Sequence, residues 1–307
     1  MVPRSFRMFA PLLTTLFLFL AACQSLSSLS GPSQDFVSAA NALAQAESDY
    51  FDEIQAASDA AYRLQAAETY VAKKRTFPQF VAELGKHDDF SKAKALRMAA
   101  MQQLLNYTQQ IQAIITGSNA TWIADDAKSA TTNISKLVKD AGDKADAQFF
   151  TNHSGVVETA VTDLGRIIIN HESATELQSL AHDARAPIAQ IAEMVKQDNA
   201  NIETDNFTNS LSADQTQAVK DILHSIYQDP KVNAAERLEA LQVAADWKQI
   251  LVTKSQAIQN ALAKLQAANE AMAEKENTSL GALSRQAYTL AQQAITGPSP
   301  VTVVPAK

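Results

Sequence analysis

An all-α fold, an elongated up-and-down bundle of about six or seven long helices, is what this sequence predicts, and three observations predict it. Glycine is scarce, at 8 of 307 residues, while alanine and glutamine are frequent, which is the composition of long helices and not of sheets with their turns. No alternation of Val, Ile, Thr and aromatic residues persists beyond a few positions, VTVV near the C-terminus excepted. Apolar residues recur instead at alternating spacings of four and three over long stretches, which gives coiled-coil-like, alanine-rich seams.

The elements follow in order. Residues 1–22 carry Arg4 and Arg7, then an apolar run from Met8 to Leu20, then small residues. A basic start, an apolar middle and a small-residue end are the parts of a secretory signal. The apolar run, about 13 residues or roughly 20 Å of helix, is shorter than the roughly 20 residues that span a hydrocarbon core. Residues 23–34, with Gly31-Pro32 breaking a Ser-rich stretch, are expected to form a flexible tether.

Residues 35–296 are expected to form the helical domain. Its first long helix, from about Asp35 to Lys74, places Phe36, Ala40, Leu43, Glu47, Tyr50, Ile54, Ala57, Ala61, Leu64, Glu68 and Val71 on one seam. Pro78 prevents a smooth continuation, and a short helical piece stops at Gly85. Asp88-Asp89 can cap a second helix reaching about Thr116, with a stripe of Ala93, Leu96, Ala100, Leu104, Tyr107, Ile111 and Ile114. A third helix, from about Thr121 to Phe149, offers Ile123, Ala127, Ala130, Ile134, Leu137 and Ala141. Short connections make such helices antiparallel neighbours.

The fourth helix starts near Gly155 and runs through Val157, Leu164, Ile167, Ile168 and Leu180 to Val195, with a kink expected at Pro187. Residues 199–211, rich in Asn, Thr and Ser, are a candidate subdomain joint. Ser212 can cap a helix to about Tyr227. After Asp229-Pro230 a long helix carries Leu238, Leu241, Trp247, Leu251, Ile258, Leu262, Leu265 and Met272. Asn277-Thr278 is expected to cap a last helix that ends before Gly297-Pro298. Residues 297–307 hold three prolines and read as a disordered tail.

The sequence Leu20-Ala21-Ala22-Cys23, placed directly after the apolar run, resembles the lipobox of bacterial lipoproteins. The resemblance covers the signal alone and implies cleavage between Ala22 and Cys23, diacylglycerol on the Cys23 sulfur and an acylated new N-terminus. Each buried CH₂ contributes about 0.8 kcal/mol, so two or three chains make the attachment to a bilayer effectively permanent. Gln24 stands where the inner-membrane retention signal of enteric bacteria has aspartate, which implies an outer-membrane address facing the periplasm. The helical domain itself resembles no family.

Composition excludes several functions. The net charge of −7 becomes more negative by two when Arg4 and Arg7 leave with the signal, and an acidic chain without a basic cluster is a poor partner for nucleic acid. Cys23 is the single cysteine, so with its sulfur acylated there is no disulfide, catalytic thiol or thiolate metal site.

The histidines point the same way: His171 and His182 lie roughly 16 Å apart along a helix and match no metal-ligand pattern. His171, Glu172 and Glu176 read as solvated polar residues, Asp221 with His224 as a surface pair, and Asp140, Asp143 and Asp146 as an acidic helix stripe, where calcium would want a loop. No nucleophile elbow or phosphate-cradling loop occurs. Six Asn-x-Ser/Thr sequons, those at Asn119 and Asn206 among them, are read as chance occurrences in a bacterial chain. Trp122 and Trp247 are expected at the core or its edge, with a partner contact as the second reading.

The expectation is therefore a non-enzymatic envelope protein without cofactor, catalytic residue or metal. It would be anchored through acyl chains on Cys23 and bind another protein as scaffold or adaptor, an immunity-type protein being a special case. A membrane-active, pore-forming-like helical protein and a cell-wall hydrolase are the alternatives. The first alternative needs about 20 nearly uncharged residues, whereas the most apolar mature stretch, Val156 to Asn170, contains Glu158, Asp163 and Arg166.

Overall fold

The computed structural model describes residues 10–71, 76, 78–79, 91–118, 121–141, 154–170, 176–204 and 234–297. Among these, eight helices are present: α1 (Ala10–Val71), α2 (Ser91–Thr116), α3 (Thr121–Ala141), α4 (Ser154–Asn170), α5 (Leu177–Asp183), α6 (Arg185–Thr204), α7 (Ala234–Ala273) and α8 (Asn277–Thr296). The described residues contain no strand, and the fold is an all-α bundle.

The seam of α1 is buried as its spacing requires. Phe36, Ala40, Leu43, Glu47, Tyr50 and Ile54 all lie in the interior, joined by Ala39, Ala42, Ala46 and Phe51. The buried face is wider than one seam because α1 packs against α2, α7 and α8 together. Small residues make this possible: α8 buries Gly281, Ser284, Ala287, Ala291 and Ala294, and short side chains let helix axes approach closely. The rest of the molecule continues from α2 and α7. Helices α3 and α4 pack on α2 and on each other, α6 lies on α4 and α7, and α5 lies on α7. One cluster of buried apolar residues links α1 through α8.

Contacts give the directions. Lys94 meets Asp52, Arg97 meets Glu47 and Phe36 meets Tyr107, so α2 runs antiparallel to α1. The turn from α2 to α3 is closed by Gly117 at φ 68°, with the Ser118 amide donating to the Ala113 carbonyl at 3.0 Å. This is the left-handed helix end that glycine adopts without a Cβ penalty. The α7–α8 turn has the same form, with the Glu276 amide donating to Ala271 O at 2.7 Å, but here Lys275 takes the positive φ, 63°.

Four expectations are corrected. The stretch expected to be a flexible tether is helix: α1 continues through residues 23–34 with Pro32 inside it. A proline within a helix costs about 3 kcal/mol. Leu29 and Phe36 are buried on either side of it and Leu26 packs against the core, and burying one large apolar side chain contributes roughly 1.5–3 kcal/mol. Burial therefore outweighs the proline.

Second, Pro187 does not kink one long helix. The helix is interrupted instead at Ala184, and Pro187 occupies the first turn of α6, where its missing N–H has no intrahelical partner to lose. Third, Asn277 is not the cap of α8: the capping position is Glu276, without a side-chain cap bond, and Asn277 Nδ2 donates to Ser28 Oγ at 3.4 Å. Fourth, Trp122 is 52% exposed, because it follows the first residue of α3 while Ile123 beside it takes the core position.

Of the joint expected at 199–211, residues up to Thr204 continue α6. Residues 205–211, the Ser212 helix, the piece ending at Gly85 from residue 80 onward, the Asp88-Asp89 cap, the end of the third helix beyond Ala141 and the tail from residue 298 onward lie outside the described residues.

Candidate functional site

The sequence leads one to expect chemistry at one place, Ala22 and Cys23. Both lie on the backbone of α1, with no break between them and the packed part of that helix. The remaining polar features of interest are inside the bundle. Further along α1 from Cys23, Glu47 on its seam meets Arg97 of α2, whose Nη1 donates to Glu47 Oε1 at 3.3 Å, both side chains being buried. The guanidinium also stands over the Phe51 ring, 5.6 Å from its centroid, a distance at which the ring face attracts a cation. Close by, Lys254 of α7 donates to Glu53 Oε1 at 2.5 Å, with little exposure of either side chain. Charges out of water demand such partners.

A second polar layer lies nearer Cys23. The Tyr107 hydroxyl donates to Asn269 Oδ1, and Asn269 Nδ2 donates to the Ala181 carbonyl at 2.9 Å, so α2, α7 and α5 are joined by one side chain. Burial pushes the Tyr107 phenol well above its ordinary pKa, which keeps it a neutral donor at any physiological pH. Gln103 reaches between α3 and α4, its Nε2 at 3.4 Å from Ala127 O and 3.3 Å from Val161 O. Gly165 makes the room: a Cβ there would collide with the Gln103 amide and lie 2.7 Å from Thr131 Oγ1.

These layers can fix register and hold the bundle together. Among the described residues no three His, Cys, Asp or Glu side chains stand close enough to hold a metal ion. His182 is exposed on α5, 3.6 Å from Asp183. His171, Glu172, Asp143, Asp146, Asp221, His224 and the side chains of Asp140 and Trp247 lie outside the described residues. Among the described residues the exposed large apolar side chains are Trp122, Val156 and Tyr288. No helix among the described residues is long and apolar enough to cross a membrane.

Sequence reasoning placed Glu47 and Tyr107 on their seams but not their partners. Glu47 was visible as an acid in an apolar register. Arg97, Lys254 and Asn269 carry no such signal, since each sits beside an apolar stripe where a solvated polar residue is equally at home. Comparison of the chain with protein-family models, with curated proteins and with solved structures finds no match.

Proposed function

We propose that this protein is a lipid-anchored component of a bacterial cell envelope, fixed by acyl chains on Cys23 to the periplasmic face of the outer membrane, which works by binding another protein and not by catalysis. The observation that carries the reading is the Leu20-Ala21-Ala22-Cys23 sequence following a basic start and an apolar run too short to span. Trp122, more than half exposed at the start of α3, supports the binding half, because a large amphipathic side chain in water is the kind of group that anchors protein contacts. The pairing of Glu47 with Arg97, of Glu53 with Lys254 and of Tyr107 with Asn269 supports it too, since these interior groups are engaged in holding helices together.

The test has two parts. Metabolic labelling with palmitate followed by fractionation should find the wild type acylated and in membranes, and Cys23→Ser unlabelled, soluble and still helical by circular dichroism. A photo-crosslinking residue at position 122 should then give one discrete adduct in native membranes, absent when the residue is placed at the exposed Thr289. Membrane retention of Cys23→Ser would refute the anchor. Leakage of liposomes or hydrolysis of cell wall by the purified domain would refute the adaptor.

A further inference from the structure

Helix α1 enters the bundle at the end where α7 turns into α8. Asn277 Nδ2 donates to Ser28 Oγ at 3.4 Å, a Cβ at Gly281 would lie 3.5 Å from Pro32, and Arg285 Nη1 donates to Asp35 Oδ2 at 2.6 Å. These three contacts advance together along both chains, so α8 runs parallel to α1 and away from Cys23. The far end of α8 is level with Glu53: Lys254 pairs with Glu53, and its Cε stands 3.6 Å from a Cβ placed on Gly297.

The link between the anchor and this body is itself helix. Residue 23 belongs to the same helix as Leu29 and Ser33, which are buried, and Leu26 packs against the core. From Cys23 to Leu29 the helix rises about 9 Å. A flexible segment of that length would have a root-mean-square span of about 13 Å and would leave the body free to turn.

We infer that α1 is a rigid stalk that turns one chosen end of the bundle, the one formed by the α7–α8 turn and the α5–α6 junction, to the bilayer surface, with α8 pointing outward. The inference rests on the proposed acylation of Cys23. Charge does not set this orientation. At that end stand Glu270, Glu274, Glu276 and Asp183 against Arg185, Lys275 and the exposed His182, with Arg185 spanning Glu270 at 2.6 Å and Glu274 at 3.2 Å. An excess of carboxylates is not drawn to anionic headgroups, so the orientation belongs to the stalk and persists when salt screens the surface.

The acylated full chain provides the test, because its one native cysteine is blocked by lipid and a new cysteine takes a fluorophore selectively. Thr278, Gln286 and Gln293 are exposed positions in order along α8, the first and last about 22 Å apart by helical rise. With each labelled in turn on vesicles of phosphatidylethanolamine and phosphatidylglycerol that contain a headgroup-spin-labelled lipid, quenching should fall at least threefold from 278 to 293. It should lie between at 286 and be unchanged by added salt. A flexible Gly-Ser insertion of about ten residues before Leu26 should abolish the gradient while the protein still floats with the vesicles. Equal or reversed quenching in floating protein, or a gradient that survives the insertion, overturns the stalk. Protein that mass spectrometry finds unacylated and that fails to float overturns the anchor reading beneath it, before any quenching is read.

Discussion

Glu47 and Arg97 decide more than their neighbours because each is buried and each is charged. Losing one partner leaves the other's charge in the interior, so Glu47→Ala should destabilise the fold by about 3–5 kcal/mol, whereas Glu47→Leu combined with Arg97→Met should cost far less. Denaturant unfolding of the two variants checks the contrast. Tyr107 supplies the pH dependence. Its folded pKa is raised by burial, so the folded state holds its proton more tightly than the unfolded state does. The contribution is therefore intact below the unfolded value of about 10 and is lost as pH rises past it. Stability followed from pH 8 to 11 should fall at the alkaline end, and less steeply in Tyr107→Phe. Gly165→Ala forces a methyl against Gln103 and Thr131 and should cost about 1–3 kcal/mol by the same denaturant measurement.

At the scale of elements, the two helix-ending turns set up a comparison. Gly117 and Lys275 hold the same left-handed conformation, which a side chain makes costly by roughly 1–2 kcal/mol. Lys275→Gly should therefore stabilise the protein by about 1 kcal/mol, visible as a raised denaturation midpoint, and an unchanged or lower midpoint would mean that the Lys275 side chain does more than cap. Helix α1 gives the other element-scale expectation. If residues before Phe36 are packed helix, the amides of Leu29 and Ser33 should exchange with solvent slowly, as core amides do. A tether would exchange them at once. The seam read from Phe36 to Ile54 was legible because alternation of four and three is a local property of the chain. The helicity of residues 24–34 was not, because Gly31-Pro32 signals a break and the burial that overrides it comes from α8, distant in sequence.

For the molecule as a whole, α8 bridges α1 and α7, and the apolar core runs through all the described helices without a gap. Ending the chain after Glu276 should expose the faces of α1 and α7 that Leu280, Ala287, Ala291 and Ala294 cover. The shortened protein should aggregate or lose cooperative unfolding, not survive as a smaller folded unit. The same bridging makes the proposed anchor consequential at this scale. A body fixed to α1 along its length inherits the direction of α1 at the bilayer.

Local chemistry was enough to determine some properties of this protein. Sparse glycine and long apolar seams dictate helices, the seam positions dictate which faces are buried, and the four residues ending at Cys23 carry the proposed anchor. Tertiary structure alone decided the rest: that Glu47 is paired with Arg97, that Tyr107 is tied through Asn269 to α5, that Trp122 faces water and that α1 begins well before its seam. Periodicity specifies a face and not its partner, since the free energy of burial depends on area and is indifferent to which helix supplies it. Only the packed chain settles which side chains meet.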